Sequence, residues 1–352
     1  MEHPHEVVSR AILDRRAELA EAIVSRQYQE QPQIWQRYGN AGRTKSLQDA
    51  NYHLTYLAEA IAAQDPSLFN DYVAWVKVLF AGLGFARSAL SDTLRWTREA
   101  LRAGLPPAMQ KVSEPYLAAA EATLPGATAV PPSFLGDESP LTQLARQYLA
   151  ALLVGDRHAA SRLILSAVEG GVSVRDIYLR VFQPVQREIG RLWQTNQVSV
   201  AQEHFCTAAT QLIMSQLYPH IFSASRINRR LVATCIGGEL HEIGMRMVAD
   251  FFEMDGWDTY FMGANTPLPS ILQTVKERRA DLLAISATIT FHVRGVAELI
   301  TAVREMYDGG RLPVMVGGYP FNVAPQLWRT VGADGYAADA QDALAVAAKL
   351  TG

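Results

Sequence analysis

Residues 231–244 read LVATCIGGELHEIG, and the fold of the C-terminal third follows from them. Leu231 to Ile236 is a near-continuous apolar run that ends in Gly237-Gly238. A strand buried on both faces of a parallel sheet has this texture, whereas a half-exposed strand alternates. The same texture recurs downstream. Helix 241–255 is followed by strand WDTYFMG, helix 268–278, strand DLLAISAT, helix 292–307, strand PVMVGG, helix 322–331, strand ADGYAA and helix 340–350. Strict strand–helix alternation predicts a doubly wound parallel sheet over 228–352. Ligands of such sheets bind outside the carboxyl ends of the strands, so the loops at 237–244, 286–288 and 317–318 are the candidate site.

Upstream of Asn228 the periodicity is helical. Segments near 139–154, 156–170, 173–192 and 199–223 carry apolar residues three and four apart with tight joints, which predicts a four-helix bundle over 139–227. Residues 105–138 are punctuated by Pro106, Pro107, Pro115, Pro125, Pro131 and Pro132, the composition of a linker with one short helical run around 114–123. Residues 1–104 form a further helical domain, with Ser46 and Ser91 as expected N-caps and Gly104 as a stop. Its aromatic residues at 35, 38, 52, 56, 72, 75 and 96 fall at core spacing. The expected architecture is therefore α and α/β: helical domain, bundle, parallel sheet.

Composition narrows the function. The chain of 352 residues is 49% hydrophobic and has a net charge of -3, so no basic field draws it to nucleic acid. Cys206 and Cys235 form no CxxC pair, which suits a reducing cytoplasm. No apolar run suggests a signal peptide or a membrane span.

The three strand ends carry Glu239-x-His241-x-x-Gly244, Ser286-x-Thr288 and Gly317-Gly318. Together they resemble the cobalamin-binding domain shared by methionine synthase, corrinoid methyl carriers and adenosylcobalamin mutases, whose signature is Asp-x-His-x-x-Gly, Ser-x-Leu or Ser-x-Thr, then Gly-Gly. The resemblance implies that His241 is the lower axial ligand to cobalt and replaces the cofactor's own base. Glu239 orients that ring, Gly244, Ser286, Thr288, Gly317 and Gly318 line the nucleotide tail, and Leu240 is a further cofactor-binding residue. The chemistry is coherent: neutral imidazole suits a late first-row metal, and a carboxylate on its other nitrogen fixes the tautomer. Glu in place of Asp is one methylene longer, which alters the hydrogen-bond geometry. Phe291 and His292 follow the Ser-x-Thr strand as weaker candidates.

In the bundle, Trp193, nine residues, then Glu203-His204 resembles the motif of light-sensing cobalamin proteins of the CarH type. That resemblance implies that Trp193, Glu203 and His204 meet the upper face of the corrin, with His204 a second metal ligand once light breaks the cobalt–carbon bond of adenosylcobalamin. The whole arrangement is also similar to photocobilins, which add a linear tetrapyrrole such as biliverdin; with no cysteine motif for attachment, a bilin here would be non-covalent. CarH-type regulators carry a DNA-binding domain that residues 1–104 do not resemble, so no direct DNA binding is expected. The expected function is a cytoplasmic cobalamin photoreceptor, a signalling protein more than an enzyme, acting as a homo-oligomer on an unknown downstream protein. The alternatives are a corrinoid carrier of a methyltransferase system and a passive corrinoid-binding module. A mutase would need a substrate barrel that the chain lacks.

Overall fold

The computed structural model describes residues 3–128, 130–222, 224–307 and 312–352. They form two compact units, Met1–Ala129 and Val130–Gly352.

The first unit is helical: α1 (Pro4–Asp14), α2 (Arg16–Glu30), α3 (Pro32–Ala62), α4 (Pro66–Gly82), α5 (Ala89–Gly104) and α6 (Pro107–Thr123). Proline opens four of these helices at the first positions, where its missing N–H costs nothing. Ser46 is not a cap, because α3 runs through it from Pro32; the break in α3 comes instead at Gly39, with φ 54° and ψ -146°. Ser91 lies inside α5, where its hydroxyl donates to the Ser88 carbonyl. Leu54, Leu57 and Ile61 of α3 are fully buried, as are Trp96 and Phe69. His53 is buried too and meets the Tyr72 hydroxyl at 2.8 Å, with Tyr56 stacked on Tyr72 at 3.7 Å. Burial pushes the His53 pKa down to about 4, so the ring is neutral. Tyr38 and Tyr52, expected in the core, are exposed.

The expected linker over 105–138 is divided between the two units. Residues 107–123 are helix α6, which buries Tyr116, Leu117 and Ala120. Arg98 of α5 holds α6 through Glu121 at 2.5 Å and 2.8 Å and Glu114 at 2.8 Å. Residues 133–139 belong to the second unit. Leu135 is buried in its core, Arg146 donates to the Leu135 carbonyl, and the Phe134 N–H donates to Glu188 at 2.9 Å. Proline spacing alone does not reveal these tertiary anchors.

The second unit opens with the bundle: α7 (Pro140–Leu153), α8 (Arg157–Glu169), α9 (Val174–Ile177), a π-helical turn (Tyr178–Phe182), α10 (Gln183–Gln194), α11 (Val200–Gln216) and α12 (Tyr218–Ile221). Ser139, Asp156, Ser173 and Ser199 cap α7, α8, α9 and α11, each through a side-chain oxygen. The sheet follows: β1 (Arg230–Cys235), α13 (Ile243–Met254), β2 (Asp258–Phe261), α14 (Leu268–Arg278), β3 (Leu282–Ser286), a 3-10 turn (Thr290–His292), α15 (Val293–Met306), β4 (Val314–Gly317), α16 (Tyr319–Val323), α17 (Leu327–Thr330), β5 (Gly335–Ala337) and α18 (Ala340–Thr351). All strand pairs are parallel, in the order β2-β1-β3-β4-β5. That is a doubly wound sheet whose order reverses at β1 and β3, the place where such sheets take ligands.

Bundle and sheet meet along α13. Met247 and Phe251 of α13 belong to the bundle core, while Met245, Ala249 and Phe252 face the sheet. Three polar residues one turn apart, Glu242, Arg246 and Asp250, contact the bundle. The Gln211 side chain donates to Glu242 at 2.6 Å, Arg246 donates to the Gln211 carbonyl and to Ser215, and the Tyr178 hydroxyl donates to Asp250 at 2.7 Å. Tyr178 sits at the start of the π-helical turn, a departure from α-geometry that is often found where a helix must aim a side chain.

Burial pushes the Asp250 carboxyl up to about 6 from 3.8, although the Tyr178 hydroxyl and Arg246 oppose the shift. The ionised form is therefore disfavoured in the fold. Stability is full while Asp250 is protonated in folded and unfolded chains alike, below pH 3.8. It falls as pH rises from 3.8 to about 6, by at most about 3 kcal/mol. Asn at this position keeps an oxygen for Tyr178 and removes the charge. Urea denaturation of Asp250→Asn is expected to show a gain of roughly 1–3 kcal/mol at pH 8 and little change at about pH 3.5. Equal effects at both pH values would show that Asp250 does not titrate there.

Candidate functional site

Glu239 is the centre of the candidate site. It lies in the β1–α13 loop with no exposure to solvent. One carboxylate oxygen accepts from His241 Nδ1 at 2.5 Å and from the His241 backbone N–H at 3.0 Å. The other accepts from the backbone N–H groups of Thr288 at 2.6 Å and Ile289 at 3.1 Å, and from His292 Nδ1 at 3.0 Å. Burial raises the cost of the charge, but the bonds from the two histidines and the backbone outweigh it, and the carboxyl is held well below the usual carboxylate range. The bond to Glu239 raises the His241 pKa against the effect of burial, and the Glu203 charge adds to it.

The geometry answers the question posed by Glu in place of Asp. The extra methylene lets one carboxylate hold two imidazoles and the β3 loop together. His292, 13% exposed, was the weaker candidate in the sequence; the 3-10 turn that carries it brings it to the centre. With Nδ1 on Glu239, His241 has Nε2 on the far side of its ring, and its side chain is 59% exposed. That is the donor arrangement an axial metal ligand needs. Leu240 beside it is 72% exposed, an uncovered apolar side chain at the loop tip.

The neighbouring strand ends supply bare backbone. Gly318 has φ 107°, and a Cβ there would lie 2.0 Å from the Ala287 carbonyl oxygen. A Cβ on Gly317 would lie 3.1 Å from the Ala337 carbonyl oxygen. Only glycine fits the first position. Gly244 is different, because a side chain there would meet nothing within 4 Å. Ser286 is buried at the end of β3 and Thr288 is half-buried.

The bundle presents a second carboxylate–imidazole pair. On α11, His204 Nδ1 lies 2.5 Å from Glu203, whose other oxygen accepts from the Thr207 hydroxyl at 3.0 Å. The His204 side chain is 75% exposed. Trp193, near the end of α10, is half-buried. The structure thus brings Glu203 and His204 together, and Glu239, His241, Thr288 and His292 together. Cys206 and Cys235 are buried, and burial pushes the Cys206 thiol up to about 11 and the Cys235 thiol up to about 12. Among the described residues no helix is long and apolar enough to cross a membrane.

A doubly wound sheet with a histidine-bearing first loop, glycine-lined strand ends and a helical bundle on α13 defines a corrinoid-binding class of protein. Comparison with known proteins agrees. Residues 229–345 match the B12-binding domain model, residues 144–218 match a second B12-binding domain model, and residues 7–124 match a phycobilisome protein model. Dimethylamine corrinoid protein 3 of Methanosarcina acetivorans is 33% identical over 121 residues, which are 34% of this chain and 55% of the relative. Dimethylamine corrinoid protein 3 of Methanosarcina mazei is 30% identical over 129 residues, 36% of this chain and 75% of the relative. A corrinoid protein of Desulfitobacterium hafniense is 24% identical over 57% of this chain and 94% of its own length. The fold of the monomethylamine corrinoid protein of Methanosarcina barkeri superposes with a TM-score of 0.54 at 20% identity, over 59% of this chain and 98% of that one. The chain belongs to the B12-binding corrinoid-protein family, although it spans only about half the length (55%) of the first of these curated relatives.

Two glycine variants separate fold from ligand. Gly318→Ala is expected to lose roughly 3 kcal/mol or more in urea denaturation, because the backbone it would strike cannot yield. Gly244→Ala is expected to change stability by less than about 0.5 kcal/mol, yet to weaken cobalamin binding in equilibrium dialysis. Unchanged affinity in Gly244→Ala would mean that the ligand does not approach this backbone. Glu239→Gln is expected to lower cobalamin affinity about 10- to 100-fold, the usual cost of disturbing the partner of a metal-ligating histidine.

Proposed function

We propose that this chain is a cobalamin-based photoreceptor whose bundle caps the corrinoid, with a second, bilin chromophore in the first unit. The observation that carries the reading is the repetition of one device on two modules. His241 has Nδ1 on Glu239 and His204 has Nδ1 on Glu203, each at 2.5 Å. In both, the carboxylate fixes the tautomer and leaves Nε2 for a metal. His241 would hold the lower face of cobalamin, with Gly317, Gly318, Gly244, Ser286 and Thr288 along its tail; Trp193, Glu203 and His204 would meet the upper face. Bound adenosylcobalamin supplies a cobalt–carbon bond that visible light breaks. The chain's own part is to keep water from the upper face with Trp193 and to offer His204 there. Polar contacts along α13 hold the cap in place.

The first unit supports the light-sensing reading. Residues 7–124 resemble a phycobilisome protein, which fits a linear tetrapyrrole such as biliverdin. Both cysteines lie buried in the second unit, so that chromophore would be held without a thioether bond. A homo-oligomer, at least a dimer, would relay the change to a downstream partner.

A second reading, a corrinoid carrier of a methyltransferase system, is favoured by the relatives named as dimethylamine corrinoid proteins. One experiment divides the two. Absorption spectra of the chain loaded with adenosylcobalamin in the dark are expected to change under green light and to end differently in His204→Ala. Identical final spectra would remove His204 from the metal. A parent spectrum that survives green light would leave the carrier reading in place.

A further inference from the structure

Glu242 has no part in the cobalamin signature, yet it joins three elements around the site. It directly follows His241 and precedes the first residue of α13. One of its carboxylate oxygens accepts from the Gln211 side chain on α11 at 2.6 Å. The other accepts from the Ala264 backbone N–H, in the loop after β2, at 2.9 Å. The approach on that side depends on Gly263, which has φ 81° and where a Cβ would come within 3.1 Å of the same oxygen. Gln211 is gripped twice, since Arg246 donates to its carbonyl at 3.2 Å.

Gln211 stands seven residues after His204 and four after Thr207, on one face of α11. Thr207 in turn donates to Glu203 at 3.0 Å. A line of contacts therefore runs from His241 through Glu242 and Gln211 to the helix face that carries Glu203 and His204, about two helical turns or 10 Å away. The far end of α13 is anchored otherwise, by Phe251 in the bundle core and by the Tyr178–Asp250 bond. The Glu242–Gln211 bond is the polar tie between bundle and sheet nearest the site.

We infer that Glu242 is a positioning residue that couples the loop bearing the lower-face histidine to the cap helix bearing the upper-face histidine. The inference rests on the reading that a corrinoid lies between that loop and the cap. Coupling of this kind is reciprocal: whatever fixes the His241 loop also fixes α11. Glutamine can replace Glu242, because its amide oxygen accepts from Ala264 and its NH2 donates to a flipped Gln211 amide. Alanine cannot.

Hydrogen exchange at α11 in the full chain, with and without hydroxocobalamin, tests this. In the parent, loading is expected to slow exchange over residues 205–214 about tenfold, the scale of one charge-assisted hydrogen bond. Glu242→Ala should still bind hydroxocobalamin and keep its sheet amides protected, but loading should no longer slow α11. Glu242→Gln should restore the parent response, and Gln211→Ala combined with Glu242→Ala should behave as either single variant does. Slowing of α11 in Glu242→Ala equal to that in the parent would overturn the proposal, as would additive effects of the two alanine variants. If the parent takes up no hydroxocobalamin, the corrinoid reading fails instead. The tie itself is then judged in the unloaded chain, where Glu242→Ala must exchange faster at α11 than the parent.

Discussion

The second unit is organised around a buried charge. A carboxylate without solvent contact survives only when its lone pairs are filled, and Glu239 accepts five N–H donors from two segments of chain. Those donors fix the β1–α13 loop, the turn after β3 and the ring planes of His241 and His292 together. The strand order places both loops at the switch between β1 and β3, so the same charge that organises the loops also lies at the candidate ligand site. Removing it would free two imidazoles and three backbone N–H groups at once.

The cap depends on the same region. Helix α13 begins one residue after Glu242 and turns one face to the sheet and one to the bundle. Its polar residues at 242, 246 and 250 each find a bundle partner. The tie nearest His241 is polar, whereas the far end of α13 adds Phe251 in the bundle core to the Tyr178–Asp250 bond. That property suits a protein whose cap must respond to its ligand.

Much of this was legible in the sequence. Apolar runs marked β1, β3 and β4, the first and last of them ending in glycine, because fully buried parallel strands leave no alternation to confuse the pattern. The spacing of Glu239, His241 and Gly244 at the end of β1 marked the site. Less legible was what depends on tertiary partners. The prolines over 105–138 suggested a linker with a short helical run around 114–123, yet the helix extends over 107–123, where Arg98 ties it to α5. Ser46 resembled a cap, but Pro32 had already started the helix. His292 lies fifty-three residues from Glu239, and no local pattern announces that both histidines share one carboxylate. The role of Glu242 is likewise written in Gln211 and Gly263, neither adjacent to it in sequence.

We propose that the Glu239-held imidazole of His241 would hold the cobalt of bound cobalamin in place of the cofactor's own base. Electron paramagnetic resonance of the reduced, paramagnetic cobalt state tests it most directly, using chain labelled with 15N-histidine and unlabelled cobalamin. A nitrogen from His241 would split each cobalt line into a doublet, and His241→Ala would abolish that splitting. A triplet from the 14N of the cofactor's base, the same in labelled and unlabelled chain, would contradict the account.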